Sequence, residues 1–138
     1  MKTLHLMVGF PRSGKSTIAK EMVRELGYVI VSPDAIRIAL YGQRWRDESE
    51  PMVWGIAHTM VAALFEAGHD DVILDACNIT PEKRIEWESP YWVCCPHIVP
   101  TTKEICIQRA VDSKMEDLIP VIERMSAFWN PPGMGRDC

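Results

Sequence analysis

A chain of 138 residues suits one domain and should bury roughly two-thirds of its unfolded surface. Its 47% hydrophobic and 25% charged content excludes wholesale disorder. The net charge of −4 supplies no global attraction to nucleic acid, so any polynucleotide has to be held in a local basic groove.

Residues 4–8, Leu-His-Leu-Met-Val, read as a buried strand that runs straight into residues 9–17, Gly-Phe-Pro-Arg-Ser-Gly-Lys-Ser-Thr. That stretch fits the phosphate-binding pattern G-x-x-x-x-G-K-[ST] without a mismatch. Gly9 and Gly14 can take backbone angles closed to other residues, and the loop amides then point inward as an anion-binding nest. Lys15 supplies a point charge for the β- and γ-phosphates, and the Ser16 hydroxyl suits magnesium. Gly9, Pro11, Arg12, Ser13, Gly14, Lys15, Ser16 and Thr17 are therefore assigned to a nucleotide polyphosphate. Ile18, Met22 and Leu26 recur every four residues, which predicts the apolar face of a helix starting at the nest. Gly27 should cap it.

Residues 28–31 form a short second strand, with Asp34 just past its carboxyl end, where ligands of open α/β sheets collect. A helix is expected over 35–41, an exposed loop over 42–50, and a long helix from Pro51 with the face Val53, Ala57, Met60, Val61 and Leu64, ended by Gly68. Residues 71–75 make a third strand ending in Asp75. Thr80 opens a short helix, and residues 92–99 read as a fourth strand interrupted at Pro96, which either argues against a strand there or places it at an edge. Thr101 or Thr102 caps a helix to about residue 111, and a final helix covers about 118–129. Strands alternating with helices predict a three-layer α/β/α fold with a mostly parallel four-stranded sheet. No repeat or linker divides the chain, so residues 1–138 are expected to be one domain. With the core strand at the very start and no apolar run of the roughly 20 residues that span a bilayer, a cytoplasmic protein with no membrane partner is expected. The five cysteines, odd in number and without a C-x-x-C pair, argue against a disulfide framework and a zinc site.

Three further features point to phosphoryl transfer. Asp34 and Arg37 are three residues apart at a helix start and project to one side. The first can take the proton of an acceptor hydroxyl, and the second can stabilise the transferring phosphoryl charge. Asp75 closes an apolar strand where a carboxylate orients magnesium through water, with Asn78 in the same loop. Arg109 and Lys114 are cations in a segment, near 109–120, placed to act as a lid.

The blocks Gly-Phe-Pro-Arg-Ser-Gly-Lys-Ser-Thr, Val-Ser-Pro-Asp-Ala-Ile-Arg and Val-Ile-Leu-Asp-Ala-Cys-Asn-Ile-Thr-Pro-Glu-Lys-Arg-Ile-Glu-Trp, over about residues 2–125, resemble the kinase domain of phage polynucleotide kinases. More broadly they are similar to the small P-loop kinase group of ATP-binding, AAA-like kinases. The resemblance implies ATP with Mg2+ as donor and the 5′-hydroxyl of single-stranded DNA or RNA as acceptor. It makes Lys15, Asp34 and Arg37 catalytic. The phage enzyme carries a second, phosphatase domain for which these 138 residues leave no room, so a kinase without phosphatase is expected. Arg37, Asn78, Lys83 and Arg84 are candidate substrate contacts, as are Arg44 and Arg46 flanking Trp45. Two alternatives stay open: a kinase of a small alcohol, nucleoside, sugar nucleotide or hydroxylated base, and a nucleotide-binding module or slow ATPase without an acceptor.

Overall fold

The computed structural model describes residues 1–43 and 47–133, so Arg44, Trp45 and Arg46 lie outside the described residues. Its sheet has four strands: β1 (Thr3–Val8), β2 (Val29–Val31), β3 (Asp71–Leu74) and β4 (Val93–Ile98). They stand in the order β2-β3-β1-β4 and every pairing is parallel. The expected four-stranded α/β fold is therefore observed. Pro96 sits opposite Leu6 on β4, which pairs only with β1 among the described strands, so its missing N–H removes no bond from the sheet interior.

Six helices surround the sheet: α1 (Lys15–Leu26), α2 (Pro33–Tyr41), α3 (Glu50–Glu66), α4 (Pro81–Ile85), α5 (Lys103–Asp112) and α6 (Ile119–Ser126). Alternation along β1 splits the core in two. Leu4 and Leu6 pack with Ile36 of α2 and with Val53, Ala57, Val61 and Phe65 of α3. Met7 packs with Ala19, Met22 and Val23 of α1 on the other face. A third cluster, Phe10 with Cys106, Ala110 and Ile122, seats α5 and α6 against the phosphate loop.

Several expectations need correction. Ile18 and Leu26 are exposed, and α1 buries Lys15 and Ala19 instead. A four-residue step advances about 400°, so a strict i, i+4 row drifts round the helix, and the stripe actually used is Ala19, Met22 and Val23. On α3 the fourth buried residue is Phe65, while Met60 faces out. Residues 42–50 are not one open loop: a 3-10 turn spans Asp47–Ser49, and α3 starts at Glu50. Cys95 is disulfide-bonded, contrary to the expectation from the odd cysteine count, whereas Cys77 and Cys106 are not. No helix among the described residues is long and apolar enough to cross a membrane.

Among the described residues Trp87 is the largest fully buried side chain. It stacks on His58 of α3 with ring centroids 3.8 Å apart and an interplanar angle of 8°. Its carbonyl accepts from the Trp92 indole at 2.9 Å, tying the segment after α4 to the approach to β4. Trp87→Ala should cost about 3–5 kcal/mol of unfolding free energy, read as a lowered urea midpoint with an unchanged slope.

Candidate active site

The phosphate loop is shaped by two glycines. A Cβ on Gly9 would lie 2.6 Å from Ser13 Oγ, so a larger residue would force the loop open. Gly14 has φ +99°, and Arg12 takes the left-handed region as well, at φ 67°. The Gly9 amide donates to the Cys77 carbonyl at 3.0 Å, fastening the loop to the segment after β3. No side chain caps the start of α1, so its first-turn N–H groups stand open to an anion together with the positive end of the helix dipole.

Lys15 is buried at the floor of this loop. Burial pulls its pKa down, but Cys77, Asp75 and Asp34 more than reverse that, and the ammonium is held above the ordinary lysine value. Ser16 Oγ donates to Asp75 Oδ2 at 2.8 Å. Asp75 Oδ1 and Ser13 Oγ are buried without a hydrogen-bond partner. A hydroxyl–carboxylate pair with an orphaned oxygen beside a phosphate nest fits a hydrated, oxygen-liganded cation such as Mg2+.

Ser32 caps α2, its hydroxyl accepting from the Ala35 N–H at 3.1 Å, and so sets Asp34 in the first helical turn. One turn on, Arg37 NH1 donates to Asp34 Oδ1 at 2.7 Å. The same guanidinium grips Glu50 with two bonds, Nε to Oε2 at 2.9 Å and NH2 to Oε1 at 2.6 Å. Trp54 completes the clamp: its indole N–H donates to Glu50 Oε1 at 3.1 Å and its ring lies 5.7 Å from the Arg37 guanidinium. Arg37 is only 9% exposed, whereas the Asp34 side chain is 61% exposed. Burial lowers the Arg37 pKa, and Glu50 with Asp34 more than reverses it, so the guanidinium remains charged. A fixed cation thus holds one accessible carboxylate near enough to Lys15 to act on its charge.

From the other side, Arg109 on α5 donates to the Arg12 carbonyl at 3.2 Å. Arg12 donates to Ser113 Oγ at 2.7 Å, and Thr101 donates to the Ser13 carbonyl at 2.7 Å.

A family model described as an AAA domain, AAA_33, matches residues 4–117. The chain belongs to the AAA_33 family. It is thus a P-loop domain of the small-kinase type. One solved structure, of a Pnkp1/Rnl/Hen1 complex, is 25% identical with a TM-score of 0.70, over 78% of this chain and 38% of that one. A structure of the Pnkp1/Rnl/Hen1 RNA repair complex gives 18% identity and a TM-score of 0.69, over 98% of this chain and 50% of that one. A gluconokinase from Sinorhizobium meliloti 1021 gives 15% and 0.66, over 97% and 79%. The chain therefore spans half or less of the two repair-complex chains it matches, and the second and third likenesses speak for the fold alone.

Within this AAA_33 domain the expected residues are linked to one another: Asp75 and Asp34 both act on the Lys15 charge, Ser16 donates to Asp75, and Arg37 donates to Asp34. Arg109 reaches the phosphate loop. Lys114, at φ 56° and exposed, makes no side-chain hydrogen bond or ion pair with the described residues. Asn78 is buried and donates to the carbonyls of Met7 at 2.9 Å and Ala76 at 3.3 Å, so it braces the loop instead of facing a substrate. Arg84 likewise donates to the carbonyls of Asn78 at 2.9 Å and Asn130 at 2.8 Å. Lys83 is exposed, with its ammonium 5.8 Å from the Trp54 ring, on the side of Asp34 and Arg37. Sequence reasoning missed Glu50, Trp54 and Ser113. The one signal for the first was an acid immediately before Pro51 at a helix start.

Removing Glu50 strands the buried Arg37 charge. Glu50→Ala should lower stability by about 3 kcal/mol in urea unfolding. Glu50→Gln, which retains an acceptor oxygen, should cost less.

Proposed function

We propose that this domain transfers the γ-phosphate of ATP to the 5′-hydroxyl of a DNA or RNA end. The observation that carries the reading is the Asp34–Arg37–Glu50 chain, which holds one exposed carboxylate close enough to Lys15 to act on its charge. A module that only bound a nucleotide would need no such group. The likeness at 25% identity to a chain of a Pnkp1/Rnl/Hen1 complex, together with the three motif blocks, supports a polynucleotide acceptor.

In this reading the nest of residues 9–17 and the dipole of α1 hold the β- and γ-phosphates, with Lys15 neutralising charge on both. Bound Mg2+ would add charge neutralisation at those oxygens, with Ser16 and, through water, Asp75 as its protein side. Asp34 accepts the proton of the acceptor hydroxyl as its oxygen attacks the γ-phosphorus, and the bond to the β,γ-bridging oxygen breaks to release ADP. Arg37 steadies the charge on the transferring group. Arg109 closes on the loop from residues 109–120, the proposed lid of a single-domain unit. Lys83 is the proposed contact to the acceptor's phosphates.

A second reading, a small hydroxylated acceptor, is favoured by one observation. Asn78 and Arg84, two of the groups assigned to a polynucleotide, are held by the protein's own carbonyls.

The test is transfer of labelled γ-phosphate to a panel of 5′-hydroxyl oligonucleotides, nucleosides and sugars. Labelled oligonucleotide is expected, with steep loss as salt rises. Asp34→Ala should lower kcat by about 10²–10⁴-fold while leaving ATP affinity intact, and Lys15→Ala should abolish transfer. Label in a small alcohol with little salt dependence would select the second reading. Phosphate released only to water would leave a slow ATPase, and normal turnover in Asp34→Ala would remove the base.

A further inference from the structure

Interior strands of parallel sheets are usually aliphatic on both faces, yet β1 carries His5 beneath α1. His5 is 7% exposed, and both ring nitrogens are engaged: Nε2 with Asp71 Oδ1 at 2.9 Å, Nδ1 with His97 Nε2 at 2.8 Å. The ring stacks on Tyr28 with centroids 4.9 Å apart, which fixes its plane. A carboxylate only accepts, so His5 Nε2 carries the proton and Nδ1 turns its lone pair towards His97. Cys95 and His97 are two residues apart on β4 and share a face. Cys95 Sγ lies 3.6 Å from His97 Nε2.

One ligand atom from each of His5, Cys95 and His97 lies within 4.8 Å of the others. Tetrahedral zinc, with bonds of about 2.0–2.1 Å to nitrogen and 2.3 Å to sulfur, sets its nitrogens about 3.3 Å apart and nitrogen and sulfur about 3.6 Å apart. The histidine nitrogens need to part by about half an ångström, the Cys95–His97 distance already fits, and Cys95 and His5 lie within 4.8 Å of each other.

We propose that His5, Cys95 and His97 form a binding site for Zn2+ or another borderline-soft cation, with Asp71 orienting His5. The carboxylate–histidine arrangement is the usual outer support of such a ligand. Because Cys95 is disulfide-bonded here, the site belongs to the reduced protein. An external dithiol takes two electrons' worth of oxidation, becoming a disulfide and leaving two cysteine thiols. On metal binding Cys95 releases its proton to solvent, and His97 exchanges its Nε2 proton for one on Nδ1, leaving a lone pair for the metal. His97 is partly exposed, so water can fill the fourth position. The site would cross-link β1 to the edge strand β4, and it shares no residue with the phosphate loop or the Asp34–Arg37–Glu50 chain.

The experiment takes the full chain, stripped with chelator and reduced, and titrates it with Co2+ and then Zn2+ in the absence of nucleotide. One Co2+ per chain is expected, with a thiolate-to-cobalt charge-transfer band and tetrahedral d–d bands that Zn2+ abolishes. Cys95→Ser should remove the charge-transfer band, and Cys94→Ser, on the opposite face of β4, should keep it. Unreduced protein should show no such band. Asp71→Asn, at a side chain 32% exposed, should weaken Co2+ affinity by about 10–100-fold and serves even if Cys95→Ser fails to fold. Absence of the band in reduced protein, its survival in Cys95→Ser, or unchanged affinity in Asp71→Asn would overturn the proposal.

Discussion

Everything at the phosphate-loop edge depends on the register of three adjacent parallel strands. Leu6 of β1 is paired with Leu74 of β3, and Leu74 with Val31 of β2. β2 and β3 therefore end level, passing into the start of α2 and into Asp75–Cys77, while β1 runs on through Met7 and Val8 before it enters the phosphate loop. Two backbone bonds fix this edge: Gly9 N–H to the Cys77 carbonyl, and Asp75 N–H to the Val31 carbonyl. The second puts Asp75 beside the strand that delivers Asp34. No long side chain has to reach for its neighbours, since the backbone has already placed them.

Burial then divides the charges by function. Lys15, Arg37 and Glu50 are withdrawn from water, and each has opposite charge close by. A lone guanidinium at 9% exposure would be prohibitive, and it is the two-bond geometry with Glu50 that offsets the desolvation. Asp34 is the exception, bonded to Arg37 yet 61% exposed. A proposed base has to be so: its carboxylate must meet an acceptor arriving from solvent, and the buried pair behind it keeps it from turning away.

The parts legible in the sequence were those written in short-range spacing. Lys15 and Ser16 followed from the loop pattern, the Asp34–Arg37 contact from a three-residue step, and the edge position of β4 from Pro96. Glu50 was not legible because its partner is 13 residues away across a segment with no periodicity. Asn78 and Arg84 misled for a different reason: polar residues after a strand serve substrates or unpaired carbonyls equally well, and only coordinates show that Met7, Ala76 and Asn130 claim them. The face of α1 was misread because aliphatic spacing was weighed without the demand that Lys15 point inwards, which sets the rotation of the whole helix.

That rotation also bears on the other end of β1. With Lys15 buried at the phosphate loop, Ala19 joins Met7, Ile73 and Val99 in one cluster, and Met22, Val23, Tyr28 and Ile30 pack against it. Tyr28 in turn stacks on His5, which leaves the imidazole 7% exposed. An unpaired ring nitrogen there would cost about 1–3 kcal/mol, and Asp71 and His97 remove that cost from neighbouring strands. A hydrophobic residue would fill the same space with less demand on its surroundings. The polar cluster is thus a local exception to an otherwise aliphatic strand, and its three donor atoms converge where β4 has no further strand, among the described residues, to hold it in place.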